Sequence, residues 1–409
     1  MRVLFASWAW ASHYMPLAPL VWALQAAGHE VRVASQPALT GVINDSGAAA
    51  VPVGPDLDHG EVRGRQMAGM TFSDVPRVPT AGSSMAGWPP ERLRRVRQVF
   101  GTFAAYSDAM LDDLATFARS WRPDLVVYDP TTYAGPLVAA ALGVPAVRHV
   151  HGIDVTYQAR DIVPDLIRDM AGRLGVGEVD VLGHATVDPC PPSLQIPSDV
   201  RRIAVRYIPY NGPAVLPRWL RTRPTRPRVC VTWGTSTSRI TGPETFMPAR
   251  LVRALAELDV DVVMALTGGD ADRLGDVPEQ VRVVDSLALH LVLPECAAIV
   301  HQGGNGTALT AAVHGVPQLV LPQIPDQIFQ AERVLAAGAG DVLRPGEFSE
   351  AETARRLDAV LTADRYRGRA RALREEMRDQ PAPAEAVARL EELAAGRCSP
   401  AARRLKEAD

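Results

Sequence analysis

Residues 297–314 read AAIVHQGGNGTALTAAVH. An apolar run, 297–300, passes directly into the glycine-rich turn 301–307 and then into a helical run, 308–314, so the segment predicts a strand, a tight turn and a helix in immediate succession. Glycines at such a junction let backbone N–H groups approach a ligand, and the helix N-terminus behind them favours negative charge. A diphosphate fits there. A plain glycine-rich turn with Thr307 as helix cap is the simpler structural alternative. The glycines lack the spacing of a dinucleotide fingerprint, and the first apolar run of the chain is followed by Ser7-Trp8-Ala9-Trp10, without glycine.

Outward from this junction the same alternation repeats. Residues 228–233, 260–266, 281–284 and 318–321 read as further strands around it. In the first half, strand patterns at 2–6, 30–34, 50–53, 125–128 and 146–150 alternate with helical ones at 17–27, which stops at Gly28, at 91–121 and through Leu142. Such alternation builds a parallel sheet covered by helices. The predicted fold class is α/β, with two Rossmann-like domains facing each other across a cleft. With 409 residues the chain exceeds what one core usually serves.

The expected division is a first domain over 1–212, a linker over 213–227 where prolines alternate with arginines, and a second domain over 228–381. A helix over 382–396 is expected to pack back on the first domain, and 397–409 is a polar tail. Residues 54–90 break into Gly, Pro, Ser and Arg, which predicts a long specificity loop.

Composition removes several functions. The net charge is −3 and no long basic run occurs, so nucleic acid is excluded as a partner. Lys406 is the only lysine, which excludes Schiff-base chemistry and a P-loop lysine. Cys190, Cys230, Cys296 and Cys398 lack zinc-binding or redox spacing and read as reduced thiols of a cytoplasmic protein. Residues 1–24 are apolar but carry His13, Pro16 and Pro19 and no basic n-region of any length, so they read as strand, loop and helix rather than a signal peptide. No stretch has the length of a membrane span.

The segment His301-Gln302-Gly303-Gly304-Asn305-Gly306-Thr307, with Gly315-Val316-Pro317-Gln318 and Pro322-Gln323-Ile324-Pro325-Asp326-Gln327 after it, resembles the donor signature of the GT-B, family 1 inverting glycosyltransferases. MRVLFAS, AAGHEVRVAS and YDPTTYAGPLVAAALGVPAV resemble bacterial transferases that place deoxysugars on polyketides and other natural products. The likeness runs along nearly the whole chain and is weakest over residues 60–97.

The resemblance implies a nucleotide-diphosphate sugar as co-substrate, a thymidine diphosphate deoxysugar by preference, with no other cofactor and no metal. It places His301, Gly303, Gly304, Asn305, Gly306 and Thr307 around the donor phosphates, with Thr235 and Ser236 as hydroxyl donors. Asp326 and Gln327 correspond to the pair that binds sugar hydroxyls; from chemistry alone, helix capping is as good a role for them. His13 matches the catalytic base and Asp129 its partner, although position alone would leave His13 a surface residue and Asp129 a turn residue. Ser12 stands where the commonest pattern has glycine. A small-molecule acceptor, a homodimer and a cytochrome P450-like helper protein, the last expected at residues 60–97, complete the partners it brings in. The rival readings are a noncatalytic nucleotide-sugar-binding partner, a GT-B-like epimerase and, at the level of fold, a nicotinamide dehydrogenase.

Overall fold

A computed structural model of the chain describes residues 1–66, 82–234, 246–267 and 269–396. Its first sheet contains β1 Arg2–Ala6, β2 Glu30–Ser35, β3 Ala50–Pro52, β4 Leu125–Tyr128, β5 Ala146–His149, β6 Ala185–Asp188 and β7 Arg202–Ala204. Its second contains β8 Arg228–Thr232, β9 Asp261–Leu266, β10 Val281–Asp285, β11 Ala298–His301, β12 Gln318–Val320 and β13 Gly340–Val342. Every pairing is parallel, in the orders β3-β2-β1-β4-β5-β6-β7 and β10-β9-β8-β11-β12-β13. The central strands are rich in Val, Ile and Leu and buried on both faces, as sheets covered by helices require.

Both orders reverse direction at one place: between β1 and β4 in the first sheet, and between β8 and β11 in the second. Loops leaving the carboxyl ends of strands at such a switch point diverge and leave a crevice. The segments after β1, β4 and β11 are therefore the ones the topology aims at a ligand.

The helix Pro90–Trp121 flanks the first crevice. It starts with proline and Glu91 in its first turn, and its buried face follows helical spacing through Phe100, Ala104, Ser107, Leu111, Leu114 and Ala118. The expected long loop spans residues 54–90, of which 67–81 lie outside the described residues. Its described part contains the helix His59–Gln66, held because Val62 packs with Trp8 and Tyr106, and a helical turn at Met85–Gly87. The expected linker likewise contains the turn Arg218–Arg221, whose Leu220 joins the core of the second domain.

The helix Pro383–Gly396 lies against the first domain. Ala386, Val387 and Leu390 share a core with Leu20, Leu24 and Val31, and His29 Nε2 meets Glu391 at 3.0 Å. The two chain crossings between domains are joined where the Arg206 N–H donates to the Pro381 carbonyl at 2.6 Å. A mixed apolar cluster, including Tyr207, Leu194, Leu309 and Leu373, fills the contact between the domains. Beside it Arg333 donates to the carbonyls of Ser193, Leu194 and Gln195. Leu390 is fully buried, so Leu390→Ala should cost about 2–5 kcal/mol, read as a lower urea midpoint for the first domain. A loss below about 0.5 kcal/mol would mean that the helix only rests on that domain. Among the described residues no helix is long and apolar enough to cross a membrane.

Candidate active site

His13 lies in the short helix Ala11–Tyr14 after β1, and Asp129 directly follows β4. Because β1 and β4 are neighbours, the two side chains meet: His13 Nδ1 is 2.8 Å from Asp129 Oδ1. Asp129 is completely buried. Its Oδ2 accepts from the Thr131 N–H at 3.1 Å and from the hydroxyls of Thr131 and Thr132 at 2.7 and 2.9 Å. Those threonines are themselves fixed by Trp8, whose N–H donates to Thr132 Oγ1 and whose indole Nε1 donates to Thr131 Oγ1. Asp129 thus organises the turn before the helix Ala134–Leu142 and orients His13 as well.

Burial pushes the Asp129 carboxyl up, but the charge and hydrogen bond of His13, with His151 close by, more than offset this and hold it well below the usual carboxylate range. Burial lowers the His13 imidazole and His151 lowers it further, against the pull of Asp129. The pair at neutral pH is a carboxylate hydrogen-bonded to a neutral imidazole whose Nδ1 carries the proton. Nε2 is then left as a base.

An aromatic wall adjoins this pair. Trp8 stacks on Trp10 with centroids 5.0 Å apart, and packs against Phe103, Tyr106 and the edge of His13. Trp8 and Tyr106 are buried, so it is the partly exposed Trp10 and Phe103 that can face a ligand, and flat apolar surface beside an imidazole suits an apolar, hydroxylated molecule.

The glycine-rich turn opens the opposite side. The helix Asn305–His314 has Gly304 at its N-cap, no side-chain cap and no acidic residue in its first turn, and residues 304–307 are partly exposed. Its first N–H groups are left for a ligand. Gly303, at φ +99°, makes the turn. Thr307 sits inside the helix and is not its cap. Asp326 also differs from the capping alternative: Ile324 is the N-cap of the helix Pro325–Ala336 and Asp326 belongs to its first turn. Asp326 is exposed; the protein around its carboxyl pushes it up, and backbone N–H groups and the charge of His151 act the other way. Gln327 is buried and accepts from the Gln323 N–H at 2.9 Å.

His301 is expected around the donor phosphates, and the structure gives it a place beneath the turn. It ends β11 fully buried, with Nε2 2.9 Å from Gln318 Oε1 and Nδ1 accepting the Gly303 N–H at 3.0 Å. Burial lowers it to about 4, so it is neutral and holds the turn from beneath. Thr235 and Ser236 lie outside the described residues.

The sequence reading missed His151. It lies in the loop after β5, its ring centroid 4.2 Å from that of His13 and its Nδ1 3.4 Å from Asp129 Oδ1. Its neighbour Gly152 abuts the helix Asn305–His314: a Cβ there would stand 2.5 Å from Asn305 Cγ. Its place follows only from the pairing of β5 with β4, which makes the loop after β5 leave the same edge of the sheet.

Two parallel-sheet α/β domains that bring a His–Asp pair and an uncapped helix terminus together have the architecture of the GT-B glycosyltransferases. One solved example is the glycosyltransferase VinC in complex with dTDP, with a TM-score of 0.79 and 35% identity over 96% of this chain and 99% of that one. The sequence matches the "Erythromycin biosynthesis protein CIII-like" N-terminal domain over residues 22–234 and the corresponding C-terminal domain over residues 249–393. The chain belongs to this EryCIII-like family of glycosyltransferases. It is 39% identical to the 10-deoxymethynolide desosaminyltransferase of Streptomyces venezuelae, covering 97% of both chains. It is 38% identical to the TDP-daunosamine transferase DnrS of Streptomyces peucetius, over 98% of this chain and 99% of the relative.

Proposed function

We propose that this protein transfers a deoxysugar from a thymidine diphosphate donor to a hydroxyl of a polyketide-like acceptor, with inversion at the anomeric carbon. The observation that carries this reading is the His13–Asp129 pair at 2.8 Å beside the aromatic wall, facing a helix terminus with no cap of its own. The relatives' donors and acceptors support the choice of substrates.

His13 Nε2 takes the acceptor's proton as the acceptor oxygen forms its bond to the anomeric carbon. The bond from that carbon to the diphosphate oxygen breaks on the opposite face, and the diphosphate leaves with the electron pair. Asp129 holds the tautomer that makes Nε2 the base and balances the imidazolium that results. The N–H groups of residues 305–307 meet the charge gained by the departing phosphate.

His13, Asp129 and His151 bring three potential metal-binding atoms within 4.8 Å of one another. A hydrogen bond already closes the His13–Asp129 gap, and an ion there would take the nitrogen that orients the base. The reading therefore has phosphate charge met without metal. The test is a thermal-shift screen of nucleoside diphosphates, then product analysis with the best donor in the presence and absence of a strong chelator. Stabilisation by thymidine diphosphate and undiminished transfer under chelator are expected. Activity lost to the chelator and restored by magnesium or manganese would overturn the metal-free mechanism, and donor turnover with no glycosylated product would overturn transfer.

A further inference from the structure

The loop after β5 carries a second imidazole into the site, and the reaction just described gives it no task. That loop is rigidly held. Arg148 in β5 and Asp154 at the far end form a fully buried ion pair at 2.5 Å. Asp154 also accepts from the Thr156 hydroxyl and the Tyr157 N–H, and its own N–H donates to Gln195 Oε1. Breaking such a buried network is costly, so the position of His151 is set by the fold and not by chance packing.

Asp129 offers it only one atom. Oδ2 is filled by three donors from Thr131 and Thr132, which leaves Oδ1 to the two imidazoles. His13 Nδ1 stands at 2.8 Å and His151 Nδ1 at 3.4 Å from that oxygen. His151 Nδ1 is buried and makes no conventional hydrogen bond. A carboxylate oxygen has two lone pairs and can serve both rings. The two side chains are 15% and 17% exposed, so each reaches the cleft while its Nδ1 faces inward.

We propose that His151 is a positioning residue for the base: by sharing Oδ1 of Asp129 it prevents the carboxylate from acting on His13 alone, and so keeps His13 neutral and ready to accept a proton. The inference rests on the reading of His13 as general base. A carboxylate given to a single imidazole raises that imidazole's affinity for a proton. A second ring on the same oxygen withdraws part of that effect, and positive charge on either ring opposes charge on the other. Among the described residues, the charged and titratable groups that act on this pair or on the carboxylate between them include Asp129, Tyr133 beside that carboxylate, His149 from β5 and, from the second domain, Asp326.

The experiment is the pH profile of kcat/KM for the full-length enzyme and for His151→Phe, His151→Asn and His13→Ala. Phe removes both nitrogens, while Asn keeps a donor near Oδ1 but cannot take a charge. The readout is where the acid limb falls, not how high the plateau stands. In both His151 variants the limb should move to higher pH, by about one unit with Phe and less with Asn. A merely structural role would lower the rate at every pH and leave the limb in place. A limb that is absent in His13→Ala but unmoved, or moved lower, in both His151 variants overturns the proposal alone. A limb retained in His13→Ala removes the base itself, and this proposal with it.

Discussion

With donor saturating, His13→Ala is expected to turn over an aliphatic alcohol acceptor about a hundredfold or more slowly, the usual contribution of a general base. Donor affinity should hardly change, because His13 belongs to the first domain and the uncapped helix terminus to the second. Asp129→Asn should also slow the reaction. An amide has one acceptor oxygen where the carboxylate serves His13 on one side and three donors on the other. Turning its NH2 either way sets a donor against a donor or favours the wrong tautomer of His13. Since the two residues act as a unit, the double variant should be little worse than His13→Ala alone. A phenolic acceptor, with a more acidic hydroxyl, should lose less. Near-normal turnover of an aliphatic alcohol by His13→Ala would return this histidine to an ordinary loop residue.

Gly303→Ala is expected to weaken thymidine diphosphate binding by about tenfold to a hundredfold. Gly303 sits at φ +99°, and a Cβ there would lie 3.0 Å from the Gln327 carbonyl oxygen and 3.2 Å from Val320 Cγ1. Strain of about 1–3 kcal/mol relaxes most readily by moving residues 303–305, which turns the helix terminus away from the cleft. Gly315→Ala is the control. That glycine is also left-handed, at φ +68°, but caps the far end of the same helix. It should cost stability and leave affinity intact. Calorimetry with the diphosphate alone separates the two, and equal affinity in both variants would remove the turn from the donor site.

The strand, turn and helix around His301–Thr307 were legible because an apolar run, a glycine cluster and a helical pattern follow one another without interruption. The far end of the first sheet was not. β6 and β7, with four and three residues, include Thr186, Asp188 and Arg202 and so show no apolar run of the kind that marked β4, and β13 is interrupted in the same way by Asp341. The helix His59–Gln66 escaped because most of its residues are polar or glycine and it is fastened by the single buried Val62. At the site, His13 and Asp129 could be named from resemblance, and their contact follows from adjacent strands. The engagement of both His301 nitrogens could not be read, since it depends on Gln318 lying beside it across β11 and β12. His151 carries no local signature at all; only the order of strands in space brings it to the same carboxylate.

The return of the helix Pro383–Gly396 to the first domain has a consequence for recombination. The first domain is discontinuous in the sequence: residues 1–204 build its sheet, and the segment that closes its flank follows only after the whole second domain. A hybrid joined only within residues 213–227 would pair one parent's Leu20 and Leu24 with the other parent's counterpart of Leu390. Chimeras intended to exchange acceptor preference should therefore be cut twice, once in that segment and once near Pro381, where the Arg206 hydrogen bond already marks the seam.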